Sequence, residues 1–263
     1  MRPGEAFETR CYEYLKHFYR ERSSKFYHEG GMDSTQSDIA VIKDGKIDFF
    51  IEAKDSLAQS GQFVLIPDEA TETFIFSPRN HSKPNEMTNI IIEYMNRSFY
   101  KFYRAGTAGE ALDMDTSVFS QWIIEHYKER NVRYVISYDG DYVIFPIRKF
   151  ASYFDISAAY RIKKSGSGKP AKKDIGMVKQ EIKNIYPSAV FTNEDKKLFA
   201  KITTPLTIDR FVLGKYTYYF SEQVPNVFEV RKLSNTYNMN VIFSIELIKT
   251  QDDADLDEFE SEI

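Results

Sequence analysis

The sequence predicts an α/β fold, with a mixed central β-sheet flanked by helices near 5–20 and 86–104 and a β-rich C-terminal half. Three observations carry that expectation. Two apolar runs, residues 37–43 and 47–54, flank an Asp44-Gly45 turn and read as a β-hairpin. Apolar residues recur at helical spacing over residues 5–20, 86–104 and 117–130. From about residue 198 onward, short aromatic and apolar runs alternate with turn residues.

Taken in order, Gly4-Glu5-Ala6-Phe7-Glu8 opens an amphipathic helix through about Arg20, and strands follow near 25–29, 37–43, 47–54 and 72–77. A long helix runs from Glu86 to about Arg104, with Met87, Ile90, Ile91, Tyr94, Met95, Phe99 and Phe102 forming its core stripe. Gly106-Thr107-Ala108-Gly109 ends it, and a helix over 117–130 buries Trp122 and Ile123. Strands 132–138 and 141–147 meet at Asp139-Gly140. Residues 174–186 form a short helix closed by Pro187, and strands are expected at 198–203, 209–213, 216–220, 227–233 and 239–249. Tyr216, Tyr218, Tyr219 and Phe220 read as a half-buried sheet, with stacking on nucleic-acid bases as the alternative. The expected division is a core over 1–155, a β-rich region over 156–250 and an acidic tail over 251–263.

The chain of 263 residues is long enough for a substantial core, and 42% apolar content with 21 Phe and 18 Tyr excludes a disordered protein. A single cysteine, Cys11, excludes an intrachain disulfide and fits a reducing cytoplasm. No signal peptide and no membrane span are expected. Four scattered histidines do not make zinc-site spacing. The net charge of −4 is concentrated at the end, since Gln251–Ile263 holds seven acids and no Lys or Arg. Without those seven, residues 1–250 set 35 bases against 32 acids, a net of +3. The tail is expected to be disordered or a solvated helix end.

The chemistry concentrates in the hairpin. Glu52 and Lys54, two apart on a strand, project to one face, and Asp38 stands near the start of the neighbouring strand. Two carboxylates and an ammonium suit a Mg²⁺-dependent phosphodiester hydrolase: the carboxylates hold a hard cation and the lysine orients or deprotonates water. The acid-x-Lys pattern also occurs at Asp44/Lys46, Glu181/Lys183, Glu194/Lys196 and Asp195/Lys197, in polar contexts that read as solvated surface. Only the Glu52/Lys54 copy is framed by Phe49, Phe50, Ile51 and Ala53. A satisfied ion pair at a strand end is the structural alternative. Register offers a check. A two-residue loop alone would oppose Asp38 to Ile51 and send Asp38 and Glu52 to opposite faces, so a shared site requires an odd loop or a bulge.

Ser37-Asp38 followed by Glu52-Ala53-Lys54 resembles the PD-(D/E)xK nuclease superfamily, with Ser in place of the usual Pro. Together with Ala58-Gln59 and Gly61-Gln62-Phe63, residues 4–63 resemble bacterial type II restriction endonucleases. The resemblance implies a restriction-endonuclease-like core in which Asp38, Glu52 and the carbonyl of Ala53 ligate Mg²⁺, with Mn²⁺ able to substitute. It implies catalysis by Asp38, Glu52 and Lys54. It also implies a further metal-site glutamate on the first helix, best matched by Glu8, although an acid favoured by the helix dipole explains Glu8 equally well. Ser56, Gln59 and Gln62 are the implied DNA contacts after the catalytic strand, and a homodimer cutting both strands is implied as well.

Six basic residues, Arg161, Lys163, Lys164, Lys169, Lys172 and Lys173, are interleaved with Ser165, Ser167 and glycines. Long cations, hydroxyls and flexible backbone suit phosphate oxygens, and this loop is expected to order on DNA. The leading expectation is a sequence-specific double-stranded DNA endonuclease of a restriction-modification system. A structure-selective nuclease and a non-catalytic DNA-binding module of the same fold remain the alternatives.

Overall fold

The structure, a computed structural model, describes residues 3–28, 37–164, 166–194, 196–234 and 237–263. The chain begins with α1 (Pro3–Phe18), then β1 (Lys25–His28), β2 (Ile39–Lys43), β3 (Lys46–Ala53), β4 (Leu57–Asp68) and β5 (Thr73–Phe76). Helices α2 (Glu86–Asn96) and α3 (Phe99–Tyr103) lead through β6 (Glu110–Ala111) to α4 (Thr116–Lys128). Next come β7 (Val132–Asp139), β8 (Asp141–Pro146), α5 (Phe150–Tyr153) and β9 (Phe154–Lys164). The second half holds β10 (Ser167–Gly168), α6 (Ile175–Ile185), β11 (Val190–Glu194), β12 (Lys197–Lys201), β13 (Arg210–Leu213), β14 (Tyr216–Val224) and β15 (Val227–Leu233). The chain ends with β16 (Tyr237–Leu247) and α7 (Asp253–Glu262).

One compact unit takes the chain up to Ile162 together with Met239–Ile263. Its first sheet has the order β1-β2-β3-β7-β8, so the β2–β3 hairpin is central as expected. The β2–β3 pair is antiparallel, whereas β3 and β7 run parallel, which makes the sheet mixed. One face packs Phe7, Cys11 and Leu15 of α1, with Tyr19 just beyond it, against Ile39, Val41, Phe49 and Ile51. Val132, Val135, Val143 and Phe145 turn to the other face and share a core with α2 to α5 and with a second sheet, ordered β5-β4-β16-β9-β6.

Several boundaries differ from expectation. The long helix divides into α2 and α3 because Asn96 turns its side-chain carbonyl to the Phe74 N–H at 2.7 Å, and Ser98 leaves helical geometry at φ −132°, ψ 43°. Ile91, Met95, Phe99 and Phe102 are nevertheless buried as the periodicity requires. The helix packed on the second face of the first sheet is α4, not residues 86–104; α2 lies against α4 and β5. Residues 57–68, for which no element was expected, form the long strand β4, whose partners β5 and β16 supply hydrogen bonds that local sequence cannot reveal.

The expected divisions after residues 155 and 250 are also displaced. Residues 154–162 and 239–247 complete the second sheet of the first unit, so the division falls after Ile162 and the chain returns at Met239. The acidic tail is a packed helix rather than a disordered end. Phe259 and Ile263 are buried against α1 and the first sheet. Asp255 accepts from the Tyr153 hydroxyl at 2.6 Å and from Lys149, Glu258 pairs with Arg148, and Arg22 reaches Glu260 at 2.7 Å. No described helix is long and apolar enough to cross a membrane.

The second unit, Lys163–Asn238, is β-rich as expected, with strand order β11-β12-β15-β14-β13 and β10 paired to β15. Val178 and Ile182 of α6 cover a core containing Leu198, Tyr218, Phe220 and Val230. Tyr218 and Phe220 are therefore core residues, the structural reading of that alternation.

Replacing Phe259, fully buried at the C-terminal helix, should cost about 3–5 kcal/mol in Phe259→Ala, as for other large-to-small core changes. Urea denaturation checks this, and a loss below about 0.5 kcal/mol would match only a surface residue.

Candidate active site

The hairpin loop is two residues long, with Asp44 at φ 52° and Gly45 at φ 74°, the left-handed pair that matches strand twist. Lys43 pairs with Lys46 and Ile42 with Ile47, but Val41 pairs with Phe49. Asp48 is thus the extra residue of a β-bulge, as the shared-site reading required. Two contacts hold it: the Asn131 side-chain amide donates to the Asp48 carbonyl at 2.7 Å, and Arg133 meets its carboxylate at 3.2 Å. Beyond the bulge Ile39 pairs with Ile51, which sets Asp38 against Glu52 on one face.

Asp38 precedes β2, and its carboxylate accepts the Ala53 N–H at 2.9 Å. Glu52 is 5% exposed, and its Oε1 lies 2.6 Å from Lys54 Nζ. The other oxygen, Oε2, is buried and has no hydrogen-bond partner among the described residues. Burial pushes the Asp38 carboxyl up to about 8, and the Glu52 charge adds to the effect against Lys54 and the Ala53 N–H. Burial opposes the Lys54 charge too, but the Glu52 carboxylate outweighs it and holds the ammonium well above its usual range.

This donor set fits a hard divalent cation. Mg²⁺ is commonly held by one or two carboxylates with water filling the remaining positions. Two adjacent carboxylates, Asp38 half-buried and Glu52 buried with an oxygen that has no partner among the described residues, provide that charge. Among the described residues no three His, Cys, Asp or Glu side chains form a group able to hold a metal. Glu8 has its carboxylate 3.9 Å from His28 Nε2, and its charge adds to the raising of the Asp38 carboxyl. The Asp44/Lys46, Glu181/Lys183 and Glu194/Lys196 copies lack the buried environment, and Asp195 lies outside the described residues.

The other expected residues fall in different places. Ser56 precedes β4, and its carbonyl accepts from the Leu247 N–H at 2.8 Å. Gln59 and Gln62 lie exposed on β4, the first donating to the second at 3.1 Å. Arg161 is half-buried on β9, and the backbone of Lys163 and Lys164 ends that strand. Ser165 lies outside the described residues. Ser167 bonds the Tyr219 hydroxyl at 2.6 Å and accepts from Arg231 at 2.9 Å, while Lys169, Lys172 and Lys173 are exposed. The described part of this segment is thus not a loose loop: β9 extends to Lys164, and Ser167 and Gly168 pair with Leu233 and Lys232.

Sequence reasoning missed residues packed around Lys54. The Tyr127 ring centroid lies 5.8 Å from Lys54 Nζ. His126 stacks on Trp122 at 4.8 Å, and burial, aided by Arg130, pushes its pKa down to about 4 against the pull of Glu52.

A bulged hairpin carrying opposed carboxylates and a lysine, central in a mixed sheet with helices on both faces, defines a restriction-endonuclease-like core. Among solved structures, the chain is similar to HhaI endonuclease in complex with DNA, with 35% identity, a TM-score of 0.85, and coverage of 98% of this chain and 97% of that one. The chain belongs to the family of HhaI endonuclease, a type II restriction enzyme. No protein-family model and no curated protein matches it.

The folded protein keeps the Asp38 proton that an unfolded chain releases near pH 4, so this group's stabilisation is lost as pH rises from about 4 through about 8. Asp38→Asn in metal-free protein should raise Tm at pH 8, by roughly 2–4 °C for each kcal/mol recovered, and flatten the decline between pH 4 and 8. Calorimetry across that range checks it; a lower Tm at pH 8 would contradict the crowding of the two carboxylates.

Proposed function

We propose that the chain is a Mg²⁺-dependent endonuclease that hydrolyses double-stranded DNA at a specific sequence, with type II restriction character. The observation that carries this reading is Asp38 opposed to Glu52, with Lys54 held 2.6 Å from Glu52 and Glu52 Oε2 buried without a partner among the described residues. The relation to HhaI endonuclease, solved with DNA, supports DNA as the substrate.

Asp38 and Glu52, with the Ala53 carbonyl, would hold the cation. When bound, Mg²⁺ supplies Lewis-acid stabilisation of phosphate oxygens and lowers the pKa of water. Lys54 remains charged, and its ammonium orients the attacking water and stabilises negative charge building on the phosphoryl oxygens. Water forms the new bond to phosphorus as the bond to the leaving sugar oxygen breaks. The Ala53 N–H fixes the Asp38 carboxylate, so one end of the site is oriented before substrate arrives. Exposed Lys169, Lys172 and Lys173 supply cations for backbone phosphates. Gln59 and Gln62 present amides suited to phosphate or base edges.

Digestion of a long linear phage DNA of known sequence tests the proposal. The expected result is discrete fragments with Mg²⁺, none with EDTA, and a loss of roughly 10²-fold or more in Asp38→Ala and Lys54→Ala. End sequencing of the fragments gives the recognition site. Cleavage confined to branched substrates would move the reading to structure selectivity, and undiminished cleavage by either variant would remove that residue from the chemistry.

A further inference from the structure

Strand β4 carries a second bulge close in sequence to the active site. Ile242 of β16 pairs with Gln62 and Ser244 pairs with Gln59, so Ser60 and Gly61 together oppose Phe243. Gly61 adopts φ +97°, and a Cβ there would come within 2.7 Å of the Trp122 ring, so the ring and the bulge admit no larger residue. The extra residue changes the parity of the strand. Gln59 and Gln62, three apart, reach the same exposed face and bond one another, while Ser60 is fully buried.

Inside, Ser60 Oγ and the Tyr127 hydroxyl meet at 3.2 Å. Tyr127 is 2% exposed, in the last turn of α4, and its ring lies 5.8 Å from Lys54 Nζ. A lysine ammonium is a point charge on a flexible stem, and a single partner does not fix it. Glu52 is one partner, but Glu52 is also a candidate metal ligand; the aromatic face has no second task. Attraction between a cation and a ring face is strongest where both are out of water.

We infer that Tyr127, fixed by its bond to Ser60, is a positioning residue for Lys54 and links that lysine to the strand bearing Gln59 and Gln62. The inference rests on the endonuclease reading, because Lys54 must take part in cleavage for its position to matter. Two consequences follow from the geometry. Tyr127 changes should slow the chemical step without weakening DNA binding. The Ser60 and Tyr127 changes should overlap in effect, since both break the same hydrogen bond.

Single-turnover cleavage rates with Mg²⁺, DNA dissociation constants in EDTA and thermal melts separate these outcomes. Tyr127→Leu should slow cleavage by roughly three- to thirtyfold with binding unchanged. Tyr127→Phe keeps the ring and should slow it less. Ser60→Ala should match Tyr127→Phe, and the double variant should be no slower than either alone. In a Lys54→Gln background, Tyr127→Leu should add nothing. Wild-type cleavage rates in folded Tyr127→Phe and Tyr127→Leu proteins would overturn the inference, as would additive effects in the Lys54→Gln background. If Tyr127→Leu fails to fold, the comparison of Tyr127→Phe with Ser60→Ala decides. Absence of metal-dependent cleavage by the wild type would instead remove the endonuclease reading, and this inference with it.

Discussion

The bulge at Asp48 is the constraint on which the site depends. A strand alternates its side chains with a period of two, so one extra residue exchanges its faces relative to the partner strand. The two-residue Asp44-Gly45 loop sets one register, and Asp48 resets it before the chemistry-bearing end of the hairpin. The reset is anchored from the neighbouring parallel strand. Asn131 takes φ 57°, a conformation asparagine tolerates better than most residues, and donates to the Asp48 carbonyl. The Asn131 carbonyl accepts the Phe50 N–H at 2.9 Å, so the same residue begins the pairing of β3 with β7.

The site is costly to fold. Placing two carboxylates side by side away from water opposes their ionisation, which is why the Asp38 carboxyl is raised. The Ala53 N–H offsets part of that cost for Asp38 and the Lys54 ammonium offsets part for Glu52. Among the described residues Glu52 Oε2 has no hydrogen-bond partner, nor have the buried hydroxyls of Ser37, beside Asp38, and Ser137, next in the chain after the partner of Ala53. Buried polar atoms without partners are uncommon, and these three fit an arrangement whose stability is completed by a ligand.

Charge elsewhere serves packing. The acids of α7 meet Arg22, Arg133, Arg148 and Lys149, and Gln251 bonds both backbone groups of Ile144 as the chain enters that helix. The acidic excess that depresses the overall net charge therefore completes the face of the first sheet occupied by α1. Overall charge was a poor guide to partners because these charges are consumed locally.

The sequence by itself determined the hairpin, its turn and the identity of the acid-acid-lysine set, because turn chemistry and strand alternation are local. It also required a parity change between Asp38 and Glu52, although nothing local chose between an odd loop and a bulge. Core residues such as Ile91, Met95, Trp122 and Tyr218 were legible from periodicity for the same reason. Tertiary structure decided the rest. Only pairing with β16 made residues 57–68 a strand, only contacts with Tyr127 and Trp122 gave Ser60 and Gly61 their roles, and only the hydrophobic face awaiting Phe259 ordered the acidic end. Each depends on residues far apart in the chain, whose hydrogen bonds and buried surfaces exist only once the fold brings them together.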